Sequence, residues 1–264
     1  HTIKTRAGLQ DYRVLRLEYF KILERGRKNM QNKPVAKYGS DYIVDLLKAL
    51  GVEYVSFNPG STFRGIHDSL VNYGGNSHPE VIQCNHEEIA VAIAHGYAKA
   101  SGKPMVAIVH DLVGLQHATM AIYNAWCDRA PVIVMSGTTR DAAKRRAWID
   151  WIHTALSPGI LVREYVKCDD EPDSIEAVPD SILRAWKIAL TEPTGPVYIC
   201  IDALIQEDPV SFPMLTPEVK YYSPASRAYP DPDKIEQLAG WLVEHKSPLI
   251  VADRAIKNQE DMIV

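Results

Sequence analysis

From Val35 onward the chain alternates short apolar runs with longer stretches of helical spacing. Asp41–Leu50 has the helical pattern, with Ser40 expected as its N-cap and Gly51 as its stop. Val52–Phe57 follows as a strand that runs into the turn Asn58-Pro59-Gly60-Ser61. A helix is expected from Thr62 to Val71, broken at Gly74-Gly75-Asn76. A short strand from Val81 ends in His86-Glu87-Glu88, and an alanine-rich helix follows to Ser101-Gly102, with Pro104 beyond it. Met105–Val109 is a buried-type strand, His110–Gly114 a turn, and Leu115–Trp126 a helix. Pro131–Gly137 is another strand, and the charged segment Thr139–Ile152 is a helix or a lid. Val166–Cys168 as a short strand, Asp180–Leu190 as a helix and Gly195–Asp202 as a strand complete the series.

Short apolar strands separated by helices predict an α/β fold, a doubly wound and mostly parallel sheet with helices on both faces. This unit covers residues 34–205. Residues 206–232 carry Pro209, Pro213, Pro217, Pro224, Pro230 and Pro232 and are expected to be an extended linker. Residues 233–264 offer a helix to His245 and a strand Pro248–Ala252, the start of a second α/β unit. One helix and one strand are too little to bury a core, so this unit is expected to be truncated. Residues 1–33 form a basic arm, in which Arg13, Arg16, Arg25 and Arg27 outweigh Asp11, Glu18 and Glu24. Its narrow apolar stripe favours packing on a neighbouring subunit over lying on a membrane surface. The chain opens on His1 rather than Met, which suggests a processed or trimmed product.

Composition narrows the class of function more than it identifies one. Of the 264 residues 46% are hydrophobic and 23% charged, with a net charge of −4, which gives no reason to expect nucleic acid as a partner. No apolar run approaches the ~20 residues that cross a bilayer, so no membrane partner is expected and the cytoplasm is the default compartment, with export after loss of a leader as the alternative. Cys84, Cys127, Cys168 and Cys200 are scattered without a CxxC pair, so reduced core thiols are expected rather than a zinc site or disulfides. No GxGxxG or P-loop follows any strand, which argues against a nucleotide binder. The residue that stands out is Glu87. A carboxylate between a strand end and the first turn of a helix sits where α/β proteins place ligands, near a dipole that favours negative charge.

Four groups of residues, in this order, resemble one family. Asn58-Pro59-Gly60-Ser61, His86-Glu87-Glu88, Gly96-Tyr97-Ala98-Lys99 with Gly102-Lys103-Pro104, and Asn124-Ala125-Trp126 with Ala130-Pro131-Val132 look like the pyrimidine-binding domain of thiamine-diphosphate enzymes. The similar branch holds acetolactate synthase, pyruvate oxidase and benzoylformate decarboxylase. The resemblance covers about residues 36–205, and the tail from Asp233 resembles the start of the family's middle domain.

The resemblance implies that Glu87 bonds N1′ of the cofactor's aminopyrimidine, in a proton relay that prepares the thiazolium to attack a 2-keto acid. Pro59, Gly60, Gly114, His117 and Asn124 are then the other cofactor-binding candidates. His110 resembles the histidine that ends this strand in benzoylformate decarboxylase, and Ser61 the serine of its Asn-Pro-Gly-Ser turn. They would handle the proton and the carboxylate of the substrate. A capping role for His110 and a plain helix-surface role for His117 stay open. The turn His110–Gly114 lacks the first Gly and the Pro of the synthases' Gly-Pro-Gly, so decarboxylase and carboligase chemistry both stay open. Nothing here resembles the Gly-Asp-Gly…Asn segment that holds diphosphate and Mg²⁺, so no metal ligand is assigned in this chain. A C-terminal domain or a separate chain would supply it, and the family implies a homodimer or tetramer. A non-catalytic dimerisation module with the same fold is the alternative.

Overall fold

The computed structural model describes residues 35–145, 152–211, 214, 216–251 and 253. The basic arm at residues 1–33 lies outside these residues, as do residue 252 and residues 254–264. Two units separate between Ala225 and Ser226.

The first unit is built on a six-stranded, all-parallel sheet in the order β2-β1-β3-β4-β6-β5. The strands are β1 Tyr54–Phe57, β2 Glu80–Gln83, β3 Met105–Val109, β4 Val132–Thr138, β5 Asp169–Asp170 and β6 Val197–Asp202. Between them run α1 Gly39–Ala49, α2 Arg64–Asp68, α3 Glu87–Ser101, α4 Val113–Cys127, α5 Val178–Leu190 and the short α6 Ala203–Glu207.

Alternation along the strands divides the core in two. Val106 and Ile108 of β3 join Val55, Phe57, Ile133 and Ile199 under α1, α2 and α5. Met105, Ala107 and Val109 point the other way, joining Val132, Val134 and Tyr198 under α3 and α4. Successive strand residues face opposite sides, so a strand covered on both faces is mostly apolar. All of β3 and β4 is buried accordingly. The sheet is therefore doubly wound. The order in which strands are added reverses between β1 and β3, and the crevice at the carboxyl ends of these strands is where such sheets bind ligands.

Several local expectations change. Ser40 is not the N-cap of α1: Tyr38 holds that position, and Asp41 reaches back to accept from the backbone N–H groups of Lys37 (2.9 Å) and Tyr38 (3.2 Å). The Ser40 hydroxyl instead accepts from Ser69 Oγ at 2.8 Å. The expected helix Thr62–Val71 is a 3₁₀ turn, Ser61–Phe63, then α2, then a π-helical turn, Ser69–Tyr73. The strand expected at Val166–Cys168 lies instead at Asp169–Asp170; Val166 packs into the core beneath α4, and Lys167 N–H donates to Pro196 O at 2.8 Å.

Residues 206–211 do not leave the first unit. Val210 N–H donates to Lys37 O at 2.8 Å and Gly39 N–H to Asp208 O at 3.2 Å, which ties the segment to the start of α1. In the second unit, α7 spans Pro232–Glu244 with Asp231 as its N-cap and no buried residue. Pro248–Val251 pairs with no strand among the described residues, as a single strand without a ladder partner must. No described helix is long and apolar enough to cross a membrane.

Candidate functional site

Three loops converge at the reversal point: the turn after β1, the junction of β2 with α3, and the turn after β3. His86 is the N-cap of α3, its Nδ1 accepting from the Glu88 N–H at 3.2 Å. This entry angle turns Glu87, the first helical residue, inward to 6% exposure, while Glu88 stays exposed. Asn58, at the end of β1, donates from Nδ2 to Glu87 Oε1 at 3.1 Å. The other oxygen, Oε2, lies 3.6 Å from His117 Nδ1, which reaches over from α4.

Gly114 is in this cluster for want of space. A Cβ there would stand 2.9 Å from both Cγ and Oε1 of Glu87 and 3.0 Å from His110 Cβ. Gly60 has the same relation to the other side of His110, where a Cβ would stand 2.9 Å from His110 Cβ and 2.8 Å from Phe63 Cε1. Real Cβ contacts avoid such distances, so both positions require glycine. Gly114 leaves space beside the buried carboxylate, and Gly60 leaves space beside His110.

His110 follows β3. Its Nδ1 lies 3.0 Å from Thr62 Oγ1, and the same oxygen accepts from the Asp111 N–H at 3.1 Å. Its ring stacks on His153, with centroids 4.7 Å apart and planes 9° from parallel. Asp111 is fully buried, and neither carboxylate oxygen has a hydrogen-bond partner among the described residues. The Thr138 hydroxyl and the Ala155 N–H face it outside hydrogen-bonding geometry, so burial pushes its pKa up to about 7. Beyond it, Ser136 and Tyr198 share a 2.5 Å hydrogen bond beside the buried Cys200, whose thiol burial also pushes up.

The sequence-derived candidates divide by place. Glu87, Gly60, Gly114, His110 and His117 come together. Ser61 opens the 3₁₀ turn next to Gly60, and Pro59 is exposed at the tip of the same turn. Asn124 lies apart: it is exposed on α4 ten residues beyond Gly114, about 15 Å along a helix of that pitch. Asn58, Thr62 and His153 join the site without having been candidates. Asn58 belongs to the turn that carried Pro59 and Gly60, whereas nothing local marks Thr62 or His153.

His86, Glu87 and His117 have ligand atoms within 4.8 Å of one another, and the two imidazoles stack with centroids 4.7 Å apart. Two imidazoles and a carboxylate are a donor set for a divalent ion. Here, however, Nδ1 of His86 is engaged by the helix it caps. An aminopyrimidine fits better, because the cluster offers a single buried carboxylate oriented by an amide, beside glycine backbone with no side chain in the way.

Comparison with known proteins points to one family of similar proteins. Residues 37–156 match the family model "Thiamine pyrophosphate enzyme, N-terminal TPP binding domain". The acetolactate synthase large subunit of Haemophilus influenzae is 29% identical over 221 residues, covering 83% of this chain and 37% of that protein. Benzoylformate decarboxylase of Pseudomonas aeruginosa is 26% identical over 168 residues, covering 63% of this chain and 30% of that protein. The crystal structure of benzoylformate decarboxylase from Polynucleobacter necessarius aligns with a TM-score of 0.66 at 28% identity, covering 81% of this chain and 38% of that one. The chain thus spans well under half the length of the relatives it matches.

Proposed function

Because this chain belongs to the thiamine pyrophosphate enzymes, through the N-terminal binding domain matched by residues 37–156, we infer that it supplies the pyrimidine-facing half of a site that acts on 2-keto acids. The observation that carries this reading is the Glu87 carboxylate, buried at the head of α3, held by Asn58 and faced by Gly114. Thiamine diphosphate, when bound, supplies a carbon nucleophile and an electron sink for decarboxylation or carboligation of such acids.

The chain's own residues do the rest. Glu87 holds and shares a proton with N1′ of the pyrimidine, and a carboxyl placed for proton transfer contributes about 10²–10⁴-fold to rate. Asn58 fixes Oε1, leaving Oε2 toward His117. His110 and Ser61 stand on the substrate side, where an imidazole moves a proton and a hydroxyl meets the carboxylate. Mg²⁺ and the diphosphate group are assigned to a C-terminal domain or a partner chain, and a homodimer or tetramer would bring the two halves together.

The test is made on the full-length protein with thiamine diphosphate and Mg²⁺, followed by the circular dichroism of the bound cofactor. A panel of pyruvate, benzoylformate and other 2-keto acids then reads turnover. Binding together with release of CO₂ or a ligated product is expected. Absence of cofactor binding, or full turnover in Glu87→Gln, overturns the reading.

A further inference from the structure

We propose that His153 is a positioning residue of this site, which fixes the ring of His110 by stacking and turns a buried nitrogen toward the substrate. The proposal rests on the function proposed above. His110 ends β3 and His153 belongs to the segment after β4, so chain proximity does not bring them together. That segment is fastened over the sheet edge by the Thr138 hydroxyl, which donates to Ala155 O at 3.5 Å.

The His110 ring is constrained from several sides. Thr62 holds its edge through Nδ1. Gly60 and Gly114 press against its Cβ so closely that neither leaves space for a methyl group. His153 covers its face at 4.7 Å, nearly parallel, within the range of stable offset stacking. The second torsion of a histidine has a broad minimum, and a stacked neighbour narrows the range of ring planes open to it. A proton-transfer group misplaced by about 1 Å loses on the order of 10²-fold in rate.

Packing alone does not explain why the covering residue is a histidine. His153 Nδ1 is buried and has no hydrogen-bond partner among the described residues. A phenylalanine would stack equally well without that unpaired nitrogen, which costs about 1–3 kcal/mol while it stays unpaired. A polar atom of the substrate, an oxygen of the 2-keto acid, would pair it. The ring then serves turnover and the nitrogen serves binding.

This division gives a test with two variants. In the full-length enzyme loaded with cofactor, His153→Ala should lower kcat by about 10–100-fold. His153→Phe should restore kcat to within about threefold of wild type but raise KM about tenfold, through loss of one hydrogen bond to the substrate. A readout independent of turnover is the ring-proton NMR shift of His110. It should move in His153→Ala, as the ring current is removed, and stay near its wild-type value in His153→Phe.

Unchanged kcat and KM in His153→Ala, with cofactor still bound, would overturn the role of His153 and leave the proposed function intact. Equal losses in both variants, with an unmoved His110 shift, would overturn the stacking argument. Failure of the wild-type protein to bind thiamine diphosphate would bring down both readings together.

Discussion

Two acidic clusters meet at the same edge of the sheet and are built on different principles. Around Glu87 the charged oxygens are matched: Asn58 donates to one and His117 faces the other, and the helix start adds a favourable dipole. Around Asp111 neither oxygen has a hydrogen-bond partner among the described residues, and the carboxyl is fully buried. Glu87 is held as a group that can meet a ligand. Asp111 is held as a group that resists ionising, because a buried charge without a partner is costly. The difference is that burial alone makes a reluctant acid, whereas burial with an amide, a glycine gap and an imidazole leaves a carboxylate able to meet a ligand.

The largest test of the contrast is Glu87→Gln. It keeps the shape and removes the exchangeable proton, so turnover of the loaded full-length enzyme should fall by about 10²–10⁴-fold while the fold is unchanged. Steady-state rates on an accepted 2-keto acid, with near-ultraviolet circular dichroism as the control for folding, measure it. A loss smaller than tenfold would mean that Glu87 is no more than a first-turn charge, and the contrast with Asp111 would lose its functional half.

Most of the sheet, and Glu87 itself, were legible in the sequence for a physical reason. β3, and β4 from Val132 to Met135, are apolar because both faces are covered, and α3 begins at a carboxylate shortly after a strand. Such signals are local. Ser40 misled because its hydroxyl has a second use, accepting from Ser69, while Asp41 does the capping from inside the helix. The strand expected at Val166–Cys168 shifted because an edge strand can carry charge: Asp169 and Asp170 pair with Arg163 and Arg184. Thr62 and His153 were not legible at all. Each reaches His110 across the sheet edge, and no spacing in the chain encodes a contact made by three separate loops.

The second test concerns Asp111. Its folded pKa of about 7 stands above the ordinary aspartate value of 3.8, so the native state binds the extra proton between those values. Stability associated with this carboxyl is complete below about pH 4, falls as pH rises, and is fully lost once pH passes about 7. The ceiling is on the order of 4 kcal/mol, about three pH units at 1.36 kcal/mol each. Asp111→Asn removes the titration. Its advantage over wild type in urea unfolding should be absent near pH 4, grow toward pH 7 and then level off. Parallel stability profiles for the two proteins would show that Asp111 finds a partner when it ionises, and the two clusters would then be alike.

A methyl group sharpens the comparison next. In Gly114→Ala the added Cβ would meet Glu87 and His110 at about 2.9 and 3.0 Å, and relief requires one of them to move. Overpacking of this kind costs about 1–3 kcal/mol, and here the strain falls on the carboxylate. Weakened cofactor binding, read as a rise in the thiamine diphosphate concentration at half-maximal signal, should exceed the loss in urea midpoint. An equal substitution at exposed Gly96, where nothing stands within 4 Å, should leave binding unchanged. If both variants bound alike, the gap at Gly114 would have no bearing on ligand access.

The smallest expected effect is also the closest control, because Glu88 is the immediate neighbour of Glu87. Both lie in the first turn of α3 and both feel the same helix dipole. They differ in direction: Glu87 points into the cluster and Glu88 into solvent. Glu88→Gln therefore removes only a favourable charge–dipole contact, about 0.3–1 kcal/mol at low ionic strength and less in salt. The unfolding midpoint should shift slightly downward at low salt, the shift should fade as salt is added, and turnover should stay within about a factor of two, as for surface substitutions away from special features. The backbone N–H of residue 88, which donates to His86 Nδ1, is untouched by the exchange, so the entry angle of α3 is preserved. Turnover lost in Glu88→Gln to the same degree as in Glu87→Gln would show that negative charge at the helix start is what matters, and that the inward turn of Glu87 has no separate role.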